Sequence, residues 1–230
     1  MDDTATEWEC LARSALPDGA QLRLLRHAGE YAIYVDELEL MASRFHGSED
    51  ALADHACDRL ADCTGPRVLV GGLGMGFTLA AVLRRVGAEA EVVVAELSEA
   101  VVRWQEAWTG GVPGNPLRDP RVSVHLGDVV VLLEEGTHRW DAVILDVDNG
   151  PRHLSTPTNG WLYTQPGLRA LKARLAPDGV LAIWSPAKDP RLTRDLRKTG
   201  FVVEVLRHGE DESALYDESG RHVLWMARPG

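Results

Sequence analysis

The sequence predicts an α/β fold, a doubly wound and mostly parallel sheet with helices on both faces, preceded by a small N-terminal β meander. Three observations predict it. From residue 67 onwards, apolar runs of β type alternate with helical segments, the pattern of parallel strands joined by crossover helices. Arg67 to Glu96, RVLVGGLGMGFTLAAVLRRVGAEAEVVVAE, reads as strand, glycine turn, amphipathic helix and strand. Finally, FVVEVLRH (201–208) and HVLWMARP (222–229) follow one another without a helix, so an antiparallel strand is expected at the end.

The 230 residues suit one sizeable core with a small appendage, divided into a β region over 1–46 and a main domain over 47–230. A net charge of −11, with 35 acidic against 24 basic side chains, argues against a nucleic-acid surface, because phosphate binding relies on clustered Lys and Arg. Cys10, Cys57 and Cys63 have no metal-ligand spacing, and their odd number suits a reducing compartment. The acidic N-terminus, MDDTATEWECLARS, has no apolar segment of signal or membrane type. The expectations are a cytoplasmic protein with a small-molecule substrate, no metal, no nucleic acid, no membrane, and a homodimer as an open expectation.

Each element has its own signal. Trp8 and Leu11 form a short amphipathic patch ended by Pro17-Asp18-Gly19. QLRLLRH (21–27), EYAIYVD (30–36) and ELMASR (39–44) alternate as three short strands joined at Ala28-Gly29. Such a sheet buries little area alone and must pack on the main domain. Ser48 is placed to cap a helix from Glu49 to Leu60. After the opening unit, Ser98 caps a helix over 99–108, and GGVPGNPLRDP (110–120) is a loop. RVSVHLGD (121–128) is a strand with a helix start at Val129, and WDAVILDVD (140–148) is a continuously apolar strand covered on both faces. A loop, NGPRHLSTPTNG, follows directly, at the strand end where functional loops concentrate. A helix over 165–175 leads through Pro177-Asp178-Gly179 into VLAIWS (180–185), and a helix over 190–198 precedes the last two strands.

The glycine turn narrows the ligand. A dinucleotide fingerprint, G-x-G-x-x-G, started at Gly72 would need glycine at Phe77, so that reading fails. Gly72-x-Gly74-x-Gly76 stands instead, at the start of a helix whose backbone N–H groups face a ligand. This turn resembles the first motif of class I S-adenosylmethionine-dependent transferases. With VLVGGLGMG, VVVAELSEAVV, DPRVSVHLGDVVVLL, WDAVILDVDNGP and LYTQPGLRALKARLAPDGVLAIWS in order, the chain from Phe45 to His208 resembles the spermidine synthase-like branch of that superfamily. The resemblance implies a Rossmann-like class I methyltransferase fold with a seven-stranded, mostly parallel sheet. It implies that S-adenosylmethionine, or its decarboxylated form, binds at Gly72, Gly74, Met75, Gly76, Glu96, Leu97, Gly127, Asp128, Val129 and Asp146. Glu96 would take the ribose hydroxyls and Asp128 the adenine amino group. Asp146 is the expected catalytic acid, placed to orient an amine, remove its proton or hold the methionine amine.

Departures from the family pattern bear on the reaction. Polyamine-making members carry an acid where Met75 stands, and a Tyr-His-Glu run where Gly47-Ser48-Glu49 stands. A dication needs paired carboxylates once desolvated, and several are replaced here. Methyl transfer to a small polar acceptor is therefore the leading expectation, with aminopropyl transfer as the runner-up and a non-catalytic nucleoside-binding module as a third reading. His46, Glu49, Asp148, Asn149, Trp161 and Tyr163 are the expected substrate residues. His153, Trp184 and Ser185 are weighed beside them, whereas Trp104 and Trp108 read as core or interface.

Overall fold

The computed structural model of the chain describes residues 8–16, 19–147, 157–208 and 222–230. The N-terminal sheet has four antiparallel strands in the order β1 (Glu9–Ala15), β2 (Gln21–His27), β3 (Glu30–Val35) and β4 (Leu38–Ala42). The expected patch around Trp8 and Leu11 is thus a fourth strand. Its alternation is obscured by an irregularity between Cys10 and Ala12, where β1 shifts register against β2. Leu22, Leu24 and Ile33 point down into the same apolar cluster as Val70 and Val94 of the main sheet. The meander is accordingly packed on the main domain through a shared core.

Helix α1 (Gly47–Cys57) follows. It begins earlier than expected, because His46 holds the N-cap position and Ser48 lies inside the helix, 4% exposed. Ser48 therefore does not cap; its hydroxyl donates to the Glu49 carboxylate at 2.6 Å. The central sheet contains β5 (Arg67–Gly71), β6 (Glu91–Glu96), β7 (Val122–Leu126), β8 (Trp140–Leu145), β9 (Leu175–Ser185), β10 (Phe201–His208) and β11 (His222–Pro229). Their order is β10-β11-β9-β8-β5-β6-β7. The five strands β5 to β9 run parallel, and β11 lies antiparallel between β9 and β10.

Strand β9 starts at Leu175, so Pro177-Asp178-Gly179 is not a separate turn before it. Leu175 pairs with Trp140 and Val180 with Ala142, so the intervening residues bulge out of the ladder. The helices α2 (Phe77–Arg85), α3 (Glu99–Trp104), α4 (Val129–Glu134), α5 (Gln165–Arg174) and α6 (Pro190–Lys198) complete the two outer layers. The end of the helix expected to Trp108 is instead a π-type turn over Gln105–Thr109.

Adjacent strand residues face opposite sides of the sheet, which explains the continuous apolar runs. Val68, Val70 and Ile144 serve one core, with α1, α2 and α3. Leu69, Val143 and Leu145 serve the other, with α5 and α6. The chain winds outward from β5 through β6 to β7 and then returns to β8 on the opposite side of β5. The carboxyl ends of β5, β6 and β8 therefore border the crevice where open α/β sheets bind ligands.

Candidate active site

The glycine turn at the end of β5 is shaped by backbone crowding. Gly72 has φ +91°, and a Cβ there would collide with the backbone carbonyl of Asp146 at the end of β8. Only glycine lets these two strand ends close on one another. Gly74, at φ +50°, lies beneath the thioether of Met41 from β4, which a side chain at this position would strike. Gly76 is the left-handed N-cap of α2, packed against Pro116 and Gln105.

A cavity of about 350 Å³ opens above this turn. Gly72, Gly74, Glu96 and Leu97 line it, with Gly127, Asp128 and Val129 at one end and Asp146 near the strand crossing. Met75 and Gly76 are corrections to the expected nucleoside set, since neither lines the cavity. Met75 is 1% exposed, and its side chain belongs to the apolar core.

Glu96 is held in place by backbone. Its Oε2 accepts the Leu73 N–H at 3.0 Å and its Oε1 the Ser98 N–H at 2.8 Å. Burial raises its pKa, and these backbone donors oppose the rise. A carboxylate has about four acceptor sites, so one held this way is suited to vicinal hydroxyls. One Asp128 oxygen accepts the Val130 N–H at 2.9 Å and caps α4, so this acid combines a capping role with a place in the cavity wall.

Asp146, in the same cavity wall, acts electrostatically on an acid from a distant part of the chain, Glu49. The Thr78 hydroxyl, in the first turn of α2, donates a short bond to Asp146. Burial pushes the Asp146 carboxyl above the ordinary range, and the Thr78 hydroxyl resists. Burial and then the charge of Asp146 push Glu49 up as well, while the Ser48 hydroxyl resists. Tyr163 lies in the same electrostatic neighbourhood: burial and Asp146 both raise its pKa. Its buried hydroxyl has no hydrogen-bond partner among the described residues. Asp146, the member of this group that reaches the cavity, is a carboxylate that favours a cationic or proton-donating guest, an amine above all.

The other expected substrate residues are not brought into this group. The His46 ring stacks on Phe77, with centroids 4.3 Å apart and 8° between planes, and its Nδ1 bonds Asp50 at 2.8 Å. Arg84 also bonds Asp50, at 2.7 Å. His46 is therefore an anchor of the α1–α2 contact and lines no part of the cavity. Trp161 packs against the core beneath α5. Ser185 bonds the backbone of Ala187, and Trp184 meets His222 with ring centroids 4.9 Å apart. Trp104 is core, 4% exposed, and Trp108 is 39% exposed. Asp148, Asn149 and His153 lie outside the described residues. Sequence reasoning missed Thr78, although it is the first hydroxyl after the glycine turn. It also missed Leu40 and Met41 in the cavity wall, for which the strand pattern gave no signal.

A cavity at this strand crossing, with a glycine turn at one side and an acid at the end of β6, is the arrangement in which open α/β sheets bind nucleotide-like ligands. The profile of the spermine/spermidine synthase domain matches residues 59–200. The chain belongs to the spermine/spermidine synthase family. Over 146 residues it is 34% identical to the polyamine aminopropyltransferase of Nitrosomonas europaea, covering 61% of this chain and 42% of that protein. Over 149 residues it is 32% identical to the polyamine aminopropyltransferase of Synechococcus sp., covering 60% and 45%. The chain thus spans less than half the length of these curated relatives. The fold agrees with that of a spermidine synthase from Thermotoga maritima at TM-score 0.75 and 17% identity, covering 96% of this chain and 73% of that one. A spermidine synthase in complex with the transition-state analogue AdoDATO gives TM-score 0.73 and 16% identity, covering 96% and 72%.

These findings overturn the expectation of methyl transfer: the synthase-family profile and the relatives' names both point to aminopropyl chemistry. The physical reason for the error is in the site. The expectation counted missing charges along the glycine turn, but Met75 faces the core, whereas the retained Glu49 carboxylate feels the charge of Asp146.

Proposed function

We propose that the protein transfers the aminopropyl group of decarboxylated S-adenosylmethionine to an amine. The observation that carries this reading is Asp146, a part-buried carboxylate bonded by the Thr78 hydroxyl in the wall of a nucleoside-sized cavity, with Glu49 near enough to feel its charge. Glu96 is suited to the ribose hydroxyls, and Asp128, Gly127 and Val129 border the position for the base. The acceptor nitrogen attacks the aminopropyl carbon bonded to sulfur. The N–C bond forms, the C–S bond breaks, and its electron pair returns to sulfur, leaving neutral methylthioadenosine. Asp146 takes the proton that the attacking nitrogen loses, and Thr78 keeps its carboxylate oriented. The sulfonium is already a good leaving group, so the chain's main tasks are alignment and exclusion of water.

The test is to incubate the protein with decarboxylated S-adenosylmethionine and a panel of primary amines, reading products by mass spectrometry. Equimolar methylthioadenosine and aminopropylated amine are expected. Absence of both, in a preparation that binds methylthioadenosine, would overturn the proposal.

A further inference from the structure

The chain carries 35 acidic against 24 basic side chains, yet in one groove every charged lining residue is a cation. Lys188, Arg194, Arg197, Lys198 and Arg207 surround it, with Thr193 and Val205 beside them. Its volume, about 760 Å³, lies in the range of small-ligand sites. The two walls come from different elements. On α6, Leu192 and Leu196 turn into the core, whereas Arg194, Arg197 and Lys198, spaced i, i+3 and i+4, share the helix face that lines the groove. On β10, Val203 and Val205 pack towards the same core, and strand alternation puts Arg207 on that face. Guanidinium groups from both walls therefore border one space.

The neighbouring acids are turned to other partners. Asp189 caps α6, accepting the Arg191 N–H at 2.7 Å and the Leu192 N–H at 3.3 Å. Asp195 lies 3.7 Å from Arg194. Arg197, Lys198 and Arg207 have no acidic partner among the described residues. Thr193 is fixed in place, since its hydroxyl accepts the Trp225 indole N–H at 2.8 Å and donates to the Asp189 carbonyl at 3.4 Å. Glu210, Asp211 and Glu212 follow β10 in sequence and lie outside the described residues. Like charges on facing walls repel one another, and a bound anion relieves that repulsion.

The kind of anion follows from the donors. A guanidinium fork takes two phosphate oxygens at once, and three arginines converge here with two lysines. One phosphate engages part of this set, whereas a short chain of phosphates reaches both walls. A long polyanion is disfavoured, because the chain as a whole carries −11. The screening length is about 8 Å at physiological salt, so a strand running beyond the groove meets the acid-rich surface around it. We propose that the groove between α6 and β10 binds a compact polyphosphate anion, either an inorganic polyphosphate or the phosphate chain of a nucleoside triphosphate. It is a site apart from the nucleoside cavity, since β11 and β9 separate β10 from β8, whose end leads into Asp146. The inference does not depend on the aminopropyl reading.

The test is calorimetric titration of tripolyphosphate into the full chain, with and without methylthioadenosine. One site of the same affinity is expected in both, with orthophosphate at least about 10-fold weaker. Loss of tripolyphosphate binding when methylthioadenosine is present would place the anion in the nucleoside cavity and overturn the inference. Equal affinities of tripolyphosphate and ATP mark the phosphate chain as the part recognised, and tighter binding of ATP marks a nucleoside polyphosphate; both support the site. Tighter binding of a short oligouridylate than of tripolyphosphate would overturn it in favour of nucleic acid. Arg197→Gln with Arg207→Gln should weaken tripolyphosphate binding at least about 10-fold, and Arg197→Gln alone several-fold where the double variant does not fold by circular dichroism. Arg26→Gln with Arg59→Gln removes the same charge from positions paired to Glu9 and Glu204, and should change the affinity by less than about 2-fold. Undiminished binding in the folded first variant, or an equal loss in the second, would overturn the inference. So would absence of binding by the full chain, including the case in which Glu210, Asp211 and Glu212 fill the groove themselves.

Discussion

Thr78 is a small residue with a large task. It is 3% exposed, and its hydroxyl is the one side-chain donor to Asp146 among the described residues. Removing a hydrogen bond to a buried charge costs about 1.5–3 kcal/mol. Thr78→Val, which keeps the shape, should lower kcat for aminopropyl transfer by roughly 10–100-fold, with Thr78→Ser restoring most of it. A purely structural role would lower the melting temperature and leave kcat of the folded fraction unchanged. Glu49 makes a second prediction through pH. Its folded-state pKa is raised, by burial first and then by Asp146, so the folded chain favours the protonated acid. That stabilisation is complete below the ordinary carboxylate range and is lost as pH rises through the raised value. Glu49→Gln should therefore melt about 2–6 °C above the parent at pH 8, with the difference shrinking towards pH 5, as measured by scanning calorimetry without ligand.

At the scale of elements, the unit β5–α2–β6 was readable from its residues alone. Val68 to Val70 and Val92 to Val94 are covered on both sheet faces, and Phe77, Leu79, Val82 and Leu83 share a buried helix. Periodicity and glycine spacing are local signals, so they survive without tertiary information. Two elements were not readable for physical reasons. Strand β1 carries a register shift that breaks its alternation, and β9 absorbs Pro177-Asp178-Gly179 as a bulge where those residues ordinarily punctuate. The site divides the same way. Glu96, Asp128 and Asp146 follow strand ends, which local pattern marks, and line the cavity, but the influence of Asp146 on Glu49 depends on how α1 docks, which no local pattern encodes. The glycine turn yields the element-scale prediction. Gly72→Ala places a Cβ against the Asp146 carbonyl at a left-handed φ, so stability should fall by about 1–3 kcal/mol or more in denaturant titration. Nucleoside affinity should fall with it, because β5 and β8 separate at the cavity floor.

For the whole molecule, the meander and the sheet share one apolar core. Leu24 is fully buried in the cluster that also holds Val70 and Leu79. Leu24→Ala should cost roughly 2–5 kcal/mol and lower a single melting transition by about 5–15 °C. A separate early transition for the meander, with the main transition unmoved, would contradict the shared core. The same continuity gives the cavity its two-sided character, with strand ends below and Leu40 and Met41 above.

The place of β11 has a consequence for synthesis. This strand follows all the others in sequence yet lies between β9 and β10. While the chain is being made, β9 is complete before β11 emerges, and among the described strands β10 pairs with β11 alone. Until β11 emerges, the far edge of β9 is open, the kind of surface that invites pairing with another chain. Insertion of β11 between β9 and β10 closes that edge, at the side of the sheet away from the cavity beside β5 and β6.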